Sequence, residues 1–405
     1  MNNREFIDRA VFWGILIIAF AIPLLGGTAG RNIKYLWAAV GVLWILRGNI
    51  SLKGPLFLPL CMFAMVTVLS ALTGVNPGRS FRFIVREDVN FLLLFIVAGC
   101  VRDKKHFDLI VRVFLLSAAA VCFLAVLQYV FQRSSFVQKI LGYAGAGGLT
   151  GGRADTTRAH PLILADNLCL YIPLAAAFLA SAKKRMFPAL CLVVMISTLI
   201  FTYSRGPAIY LGVVFIMASV LFFRKLKWLI LTTVLTIFLA VSIVSITKGL
   251  SIKRRLNLDS GGRIKLWKSA LLMIKDRTLF GVGPGNVISV YEKSYRKDRI
   301  HFYHLHNTFI HITAERGIFA LGIYLWIIFI FFRSLYRRVR IFGSGDEQGI
   351  ILTGLMFGFA AYTLAGLTDY TFYRSEMYFP FYFLAGLAMS KDAAGNGWGY
   401  GYKVR

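Results

Sequence analysis

The sequence predicts an all-α polytopic membrane protein with about twelve transmembrane helices, on three observations. Hydrophobic residues make up 58% of the 405 and charged residues 16%, more apolar surface than a soluble chain of this length can bury. The apolar residues fall into runs near the roughly 20 residues that cross roughly 30 Å of hydrocarbon. The short connections carry Lys and Arg in alternation, the pattern that orients helices in a bilayer. All five cysteines lie inside apolar runs, which argues against a disulfide framework.

Nine spans are expected over residues 1–247, near 11–28, 33–47, 55–74, 87–101, 108–131, 161–182, 186–203, 207–223 and 226–247. The first run is not followed by an A-x-A-like cleavage site and reads as an uncleaved span. A polar, basic platform of sixty residues, 248–307, comes next, and three more spans, near 308–332, 349–368 and 376–391, complete the block 308–391. The Gly-rich stretch 392–405 is expected to be a disordered tail.

Orientation follows from the basic short loops: Arg47 and Lys53, then Arg102, Lys104 and Lys105, then Lys183, Lys184 and Arg185, then Arg224, Lys225 and Lys227, then Arg333, Arg337, Arg338 and Arg340. These mark the cytoplasmic side, which also receives both termini. Loop 248–307 then faces outward, into the periplasm of a Gram-negative cell, yet it carries 13 Lys and Arg against four acids. The 46 basic and 18 acidic residues of the whole chain give +28, of which the cytoplasmic loops explain about half. The outward excess calls for an anionic partner, a phosphate-bearing lipid or glycan together with the membrane lipids, and no nucleic acid. An outward basic cavity is expected between the 248–307 loop and the mouths of the spans near 161, 207 and 376.

Four outward constellations can carry chemistry. Tyr203-Ser-Arg205-Gly-Pro207 is a hairpin so tight that Arg205 must stand at the membrane boundary, either touching headgroups or clamping a phosphate. Asp259-Ser-Gly-Gly-Arg263 opens a helix whose apolar stripe, Ile264, Trp267, Leu271 and Ile274, is that of a helix lying in the membrane interface. Asp259 or Ser260 is expected to cap that helix, which puts Arg263 at an N-terminus that favours anions. Leu279 to Asn286 reads as a multi-glycine turn. His301-Phe-Tyr-His304-Leu-His306-Asn307 ends the platform. A metal site there is disfavoured, since Glu315 is the only nearby acid and no cysteine is close, so no metal and no cofactor are expected. An imidazole among cations stays neutral and suits a general base taking a proton from a hydroxyl. Arg79, Arg82 and Arg86 share a helical face at an outer edge, as a second phosphate site or as headgroup contacts. Arg158 and His160 sit at the mouth of the 161–182 span, and Asp166 inside it needs a buried partner or a polar cavity.

With these motifs in hand, the chain resembles the bacterial O-antigen ligases over roughly residues 55–390. The family's tight-hairpin Arg is matched by Tyr203-Ser-Arg205-Gly, and its loop-helix Arg by Gly262-Arg263-Ile-Lys-Leu-Trp. Its His-[Asn/Ser/Gln] pair with Gly after nine residues is matched by His306-Asn307 and Gly317, while Ala320 departs from the Gly or Tyr usual later in that motif. Gly281 to Asn286 is similar to the family's glycine turn, and Gly366-Leu-Thr-Asp369 to its last outer-loop acid.

The resemblance implies a GT-C-type glycosyltransferase of the bacterial inner membrane. It would transfer O-antigen polysaccharide from undecaprenyl pyrophosphate to lipid A–core on the periplasmic side, independently of metal and with inversion. It implies His306 as base, with His304 as the alternative, and Arg205 and Arg263 on the pyrophosphate. Asn307, Arg158, His160, Arg79, Arg82, Arg86 and Asp369 are expected at substrate. The rival readings are an O-antigen polymerase, a protein O-oligosaccharyltransferase and, from another class, a lipid-linked glycan transporter. A transporter would place its long loop centrally and its ionisable residues at mid-membrane.

Overall fold

A computed structural model describes residues 3–24, 27–46, 54–101, 103–131, 160–222, 262–296, 301–343, 345–372 and 374–390, and every element among them is helical. The first half comprises α1 (Asn3–Leu24), α2 (Gly27–Leu46), α3 (Phe57–Thr73), α4 (Pro77–Arg86), a 3₁₀ turn (Asp88–Phe91), α5 (Leu92–Cys100) and α6 (Lys104–Val130). Then come α7 (Pro161–Ser181), α8 (Met186–Phe201), α9 (Arg205–Phe222), α10 (Arg263–Asp276) and α11 (Val287–Val290), which runs into a π turn (Tyr291–Tyr295). The chain closes with α12 (Thr308–Phe342), α13 (Glu347–Ala365) and α14 (Ser375–Ala388).

Side-chain caps start several of these helices. Asp103 Oδ1 accepts from His106 N at 2.7 Å to open α6, and Asp346 Oδ1 accepts from Gln348 N at 2.8 Å to open α13. Proline stands in the first turn of α4 and α7, where its missing N–H costs no hydrogen bond. α7 is buried almost all round and forms the axis of the bundle. It packs closely on α13 because Gly354 leaves room: a Cβ there would lie 2.3 Å from the Ala177 methyl.

Among the described residues, five helices are long and apolar enough to cross a bilayer: Glu5–Leu24, Lys104–Val130, Pro161–Ser181, Thr308–Phe342 and Glu347–Ala365. Helices α2, α3, α8 and α9 contribute shorter apolar segments. The chain is therefore a multi-pass membrane protein. The expected full span at 87–101 is corrected: it breaks into the 3₁₀ turn and the nine-residue α5, whose residues Leu93 to Ala98 are buried in protein instead of crossing lipid. α14, at 14 residues, is likewise shorter than a crossing. The span expected near 226–247 and the tail 392–405 lie outside the described residues.

The helix ends sort into two layers. At one end Lys104 Nζ meets Glu347 Oε2 at 2.9 Å, and Arg338 Nη1 donates to Ala388 O beside the end of α14. α1 starts at this end too, since Phe12 lies against His106 while Phe20 O accepts from Ser117 farther along α6. The basic groups Lys104–Lys105, Lys183–Arg185 and Arg337–Arg340 thus share one end with both described termini. Arg333, Arg337, Arg338 and Arg340, expected in a loop, instead ride on α12, which continues to Phe342.

α12 is interrupted at Gly317 (φ 82°, ψ 179°), and the glycine turn 279–286 fills the break. Val282 N donates to Ala314 O at 3.0 Å and Gly283 N to Glu315 O at 2.9 Å, while Ile318 N donates back to Thr278 O at 2.9 Å. The backbone groups released by the break are satisfied within the protein, as membrane-depth irregularity requires. Under the same turn Asn286 Nδ2 donates to Ser80 Oγ at 2.9 Å, and Val75 N donates to Val282 O at 2.9 Å, which ties α3 and α4 to α12.

Candidate active site

The segment 301–307 is held from three sides. Leu305 is fully buried in a small cluster with Leu266, Ala270 and Met273 of α10, and its carbonyl accepts from Trp267 Nε1 at 2.8 Å. The inward face of α10 is therefore Leu266–Ala270–Met273, while Ile264 and Leu271 of the expected interfacial stripe are exposed. Its cap differs as well. Gly262 at φ 83° is the N-cap, with no side-chain bond, and Asp259 and Ser260 lie outside the described residues. Asn307 opens α12, its Oδ1 accepting from Ile310 N at 2.9 Å, and its Nδ2 donates to Leu367 O at 2.8 Å. Thr308 N donates to Gly366 O at 2.7 Å, so the turn after α13 is laced to the start of α12.

That lacing brings Asp369 to the histidines. Asp369 Oδ1 lies 2.7 Å from His304 Nε2 and 3.1 Å from His306 Nδ1, and it accepts from Tyr370 N at 2.8 Å. With both imidazoles donating to the carboxylate, His306 presents Nε2 as a free lone pair. His304 Nδ1 is buried, and the His306 side chain is the more open of the two, 21% exposed against 14%. His306 also holds φ at 48°, a left-handed conformation that non-glycine residues seldom adopt. Burial pushes the Asp369 carboxyl up, but its bonds to His304 and His306 more than offset this and hold it well below the carboxylate range. Burial lowers His304 from its ordinary 6.5, against the opposing pull of Asp369.

The group facing both rings is thus a carboxylate, whereas the sequence suggested a surround of cations with Glu315 as the nearest acid. Glu315 is engaged elsewhere. It pairs with Arg316, accepts from Gly285 N at 2.7 Å, and lies 3.8 Å from His311 Nε2. Arg316 Nη2 in turn meets Asp88 Oδ1 and Oδ2 at 2.9 and 3.0 Å. His311 stacks on Tyr370 with ring centroids 3.8 Å apart, which joins this buried network to the residue beside Asp369. Neither the network nor the Asp369 pairing has a local motif.

Arg263 and the helix that begins with Arg205 both reach the same turn. Arg263, first residue of α10 and half-buried, donates from Nη1 to Thr368 O at 2.7 Å. The Tyr210 hydroxyl meets Thr368 Oγ1 at 2.6 Å, so α9, which begins with the exposed Arg205, abuts the residue preceding Asp369. Arg205, Arg263, His304, His306, Asn307 and Asp369 therefore share one end of the bundle. Arg79, Arg82 and Arg86 stand exposed on α4. His160 Nδ1 accepts from Leu162 N at 3.2 Å and caps α7, while Arg158 lies outside the described residues. Asp166 is buried in α7.

Chemically, the cluster pairs an oriented imidazole with fixed guanidiniums, the parts needed to take a proton and to receive a negative leaving group. His304, His306 and Asp369 also offer one metal-ligand atom each, all within 4.8 Å of one another, although a cation would compete with the two imidazole–carboxylate bonds for the same lone pairs. A cavity of about 270 Å³ lies between α3, α4, α5, α12, α13 and α14. It is apolar, unlike the basic vestibule expected from sequence, and Tyr370 and Arg316 form part of its wall.

Comparison with known proteins finds no match among curated sequences. Residues 190–325 match the family model described as O-antigen ligase. The matched stretch runs from α8 into α12 and takes in Arg205, Arg263, the glycine turn and the His304–Asn307 segment, with Asp369 beyond it. Through this segment, which carries most of the site, the chain is similar to the O-antigen ligase family.

Proposed function

We propose that this protein transfers O-antigen polysaccharide from undecaprenyl pyrophosphate to a sugar hydroxyl of lipid A–core, at the periplasmic face of the bacterial inner membrane. The observation that carries this reading is the His306–Asp369 pair at 3.1 Å, with Arg263 anchored on the residue preceding Asp369, both His306 and Arg263 lying within the family-matched segment. The acceptor hydroxyl gives its proton to His306 Nε2 as its oxygen bonds to the anomeric carbon. The bond from that carbon to the pyrophosphate oxygen breaks on the far side, so the configuration inverts. Asp369 holds the tautomer and stabilises the imidazolium as it forms. Arg205 and Arg263 receive the charge developing on the leaving diphosphate, for which a planar fork of donors is suited. The open His306 Nε2 favours His306 over His304 as the base.

The test is reconstitution. Purified protein is mixed with lipid-linked polysaccharide and lipid A–core, without ATP or added metal, and the products are resolved by size. Laddered lipopolysaccharide is the expected product. Elongated lipid-linked glycan with unmodified lipid A–core would identify a polymerase instead. Loss of activity in EDTA, restored by zinc, would turn the His304–His306–Asp369 cluster into a metal site.

A further inference from the structure

A transferase with two lipid-anchored substrates must bring both to one base, and the site above accounts for one of them. None of Arg205, Arg263, His304, His306 or Asp369 lines the 270 Å³ cavity, yet Tyr370, next to Asp369, does. The cavity is walled by aromatic and aliphatic side chains such as Tyr324, Phe331, Phe372 and Phe381. Its buried charge is already matched, since Arg316 is held by Asp88 at 2.9 Å, so the interior favours hydrocarbon.

The roof of the cavity is α4, which turns Phe83 and Ile84 inward. Its outer face carries Arg79, Arg82 and Arg86, with Phe81 and Val85 exposed beside them, the composition of a helix lying in a membrane interface. Arg86 is engaged by Glu87 at 3.0 Å. Arg79 and Arg82 are exposed and have no acidic partner among the described residues. Two such guanidiniums above an apolar slot match an amphiphile with a phosphate at its head and a chain below it.

Resting on the transferase reading, we propose that this groove seats the acceptor: an acyl chain of a phosphorylated glycolipid enters the cavity, and Arg79 and Arg82 bind its phosphate. The donor is assigned elsewhere because its pyrophosphate belongs with Arg205 and Arg263, outside the cavity lining. The acceptor's sugars then reach His306 past Tyr370.

Binding without turnover tests this. Full-length protein in phosphatidylcholine nanodiscs is titrated with fluorescent lipid A and, separately, with undecaprenyl pyrophosphate. The exposed pair Arg79→Gln/Arg82→Gln should weaken lipid A binding about tenfold or more, as loss of two charge-assisted contacts implies, and leave undecaprenyl pyrophosphate binding unchanged. Val68→Trp, which narrows the groove at an exposed lining position, should do the same with an unaltered melting temperature. Unchanged lipid A affinity in both variants would overturn the proposal. So would loss of undecaprenyl pyrophosphate binding in its place, or displacement of lipid A by phosphatidylglycerol at equal concentration. Wild-type protein that binds undecaprenyl pyrophosphate but not lipid A also overturns it, whereas protein that binds neither would remove the transferase reading itself.

Discussion

His306 is held in a left-handed backbone conformation at φ 48°, and its Nδ1 is fixed on Asp369. His306→Ala and His306→Gly should both abolish transfer while donor binding survives. Glycine should melt higher than alanine, because only glycine adopts that φ without a cost of about 1 kcal/mol. Asp369→Asn should lower kcat by about 10²–10⁴-fold through loss of the tautomer bias and of imidazolium stabilisation. The pH dependence has a definite sign. Asp369 is depressed, so its charged form persists as pH falls, and His304 is lowered, so its neutral form persists as well. Neither group should itself titrate between about pH 5 and 7, so Asp369→Asn should reduce the height of the profile across that range. Arg205→Ala and Arg263→Ala should each cost on the order of 2–4 kcal/mol of transition-state stabilisation, with partial rescue by Lys, and wild-type rates in both would refute the clamp. The histidines and both arginines were legible because each sits at a local landmark, a span end, a hairpin or a helix start. The pairing of Asp369 with His306 was not, since it spans 63 residues and depends on two helix ends being laced together. The Glu315–Arg316–Asp88 network was hidden for the same reason.

Among the elements, α12 departs most from its sequence pattern. A continuous helix of 35 residues would be about 52 Å long, well beyond the hydrocarbon core, and the break at Gly317 separates a short site-forming part from the long membrane part. A Cβ at Gly317 would sit 2.0 Å from Leu279 O in a backbone region essentially reserved for glycine. Gly317→Ala should therefore cost more than about 3 kcal/mol and leave little folded protein by size exclusion. Gly343→Ala is the control, since Gly343 has φ 75° but nothing within 4 Å, and it should lower stability by only about 1–2 kcal/mol. Apolar periodicity located the helices well but misjudged those buried in protein. α5 and α14 are as apolar as spans and shorter than the membrane, because hydropathy does not distinguish a lipid solvent from a helical one. The inward face of α10, Leu266–Ala270–Met273 against Leu305, was not singled out beside the outward apolar stripe that the sequence showed.

At the level of the whole molecule, charge predicted the sorting of helix ends, and the lysine-rich layer and the histidine layer do lie at opposite ends of the bundle. In a background stripped of native cysteines, Tyr303→Cys should react with an impermeant maleimide in intact spheroplasts, and Lys184→Cys only after permeabilisation. The reverse pattern would invert the topology. The joint between the glycine turn and its neighbours bears on how such proteins can be re-engineered. The turn donates to α12, receives from α12, and rests on Ser80 and Val75, so its shape is specified by two other stretches of chain. The segment 262–307 is consequently a poor cassette for grafting. A chimera that imports it from a relative should fail to accumulate unless the donor's counterparts of residues 70–90 and 308–318 travel with it, and recovery on adding those two stretches would locate the incompatibility at the seam instead of in the chemistry.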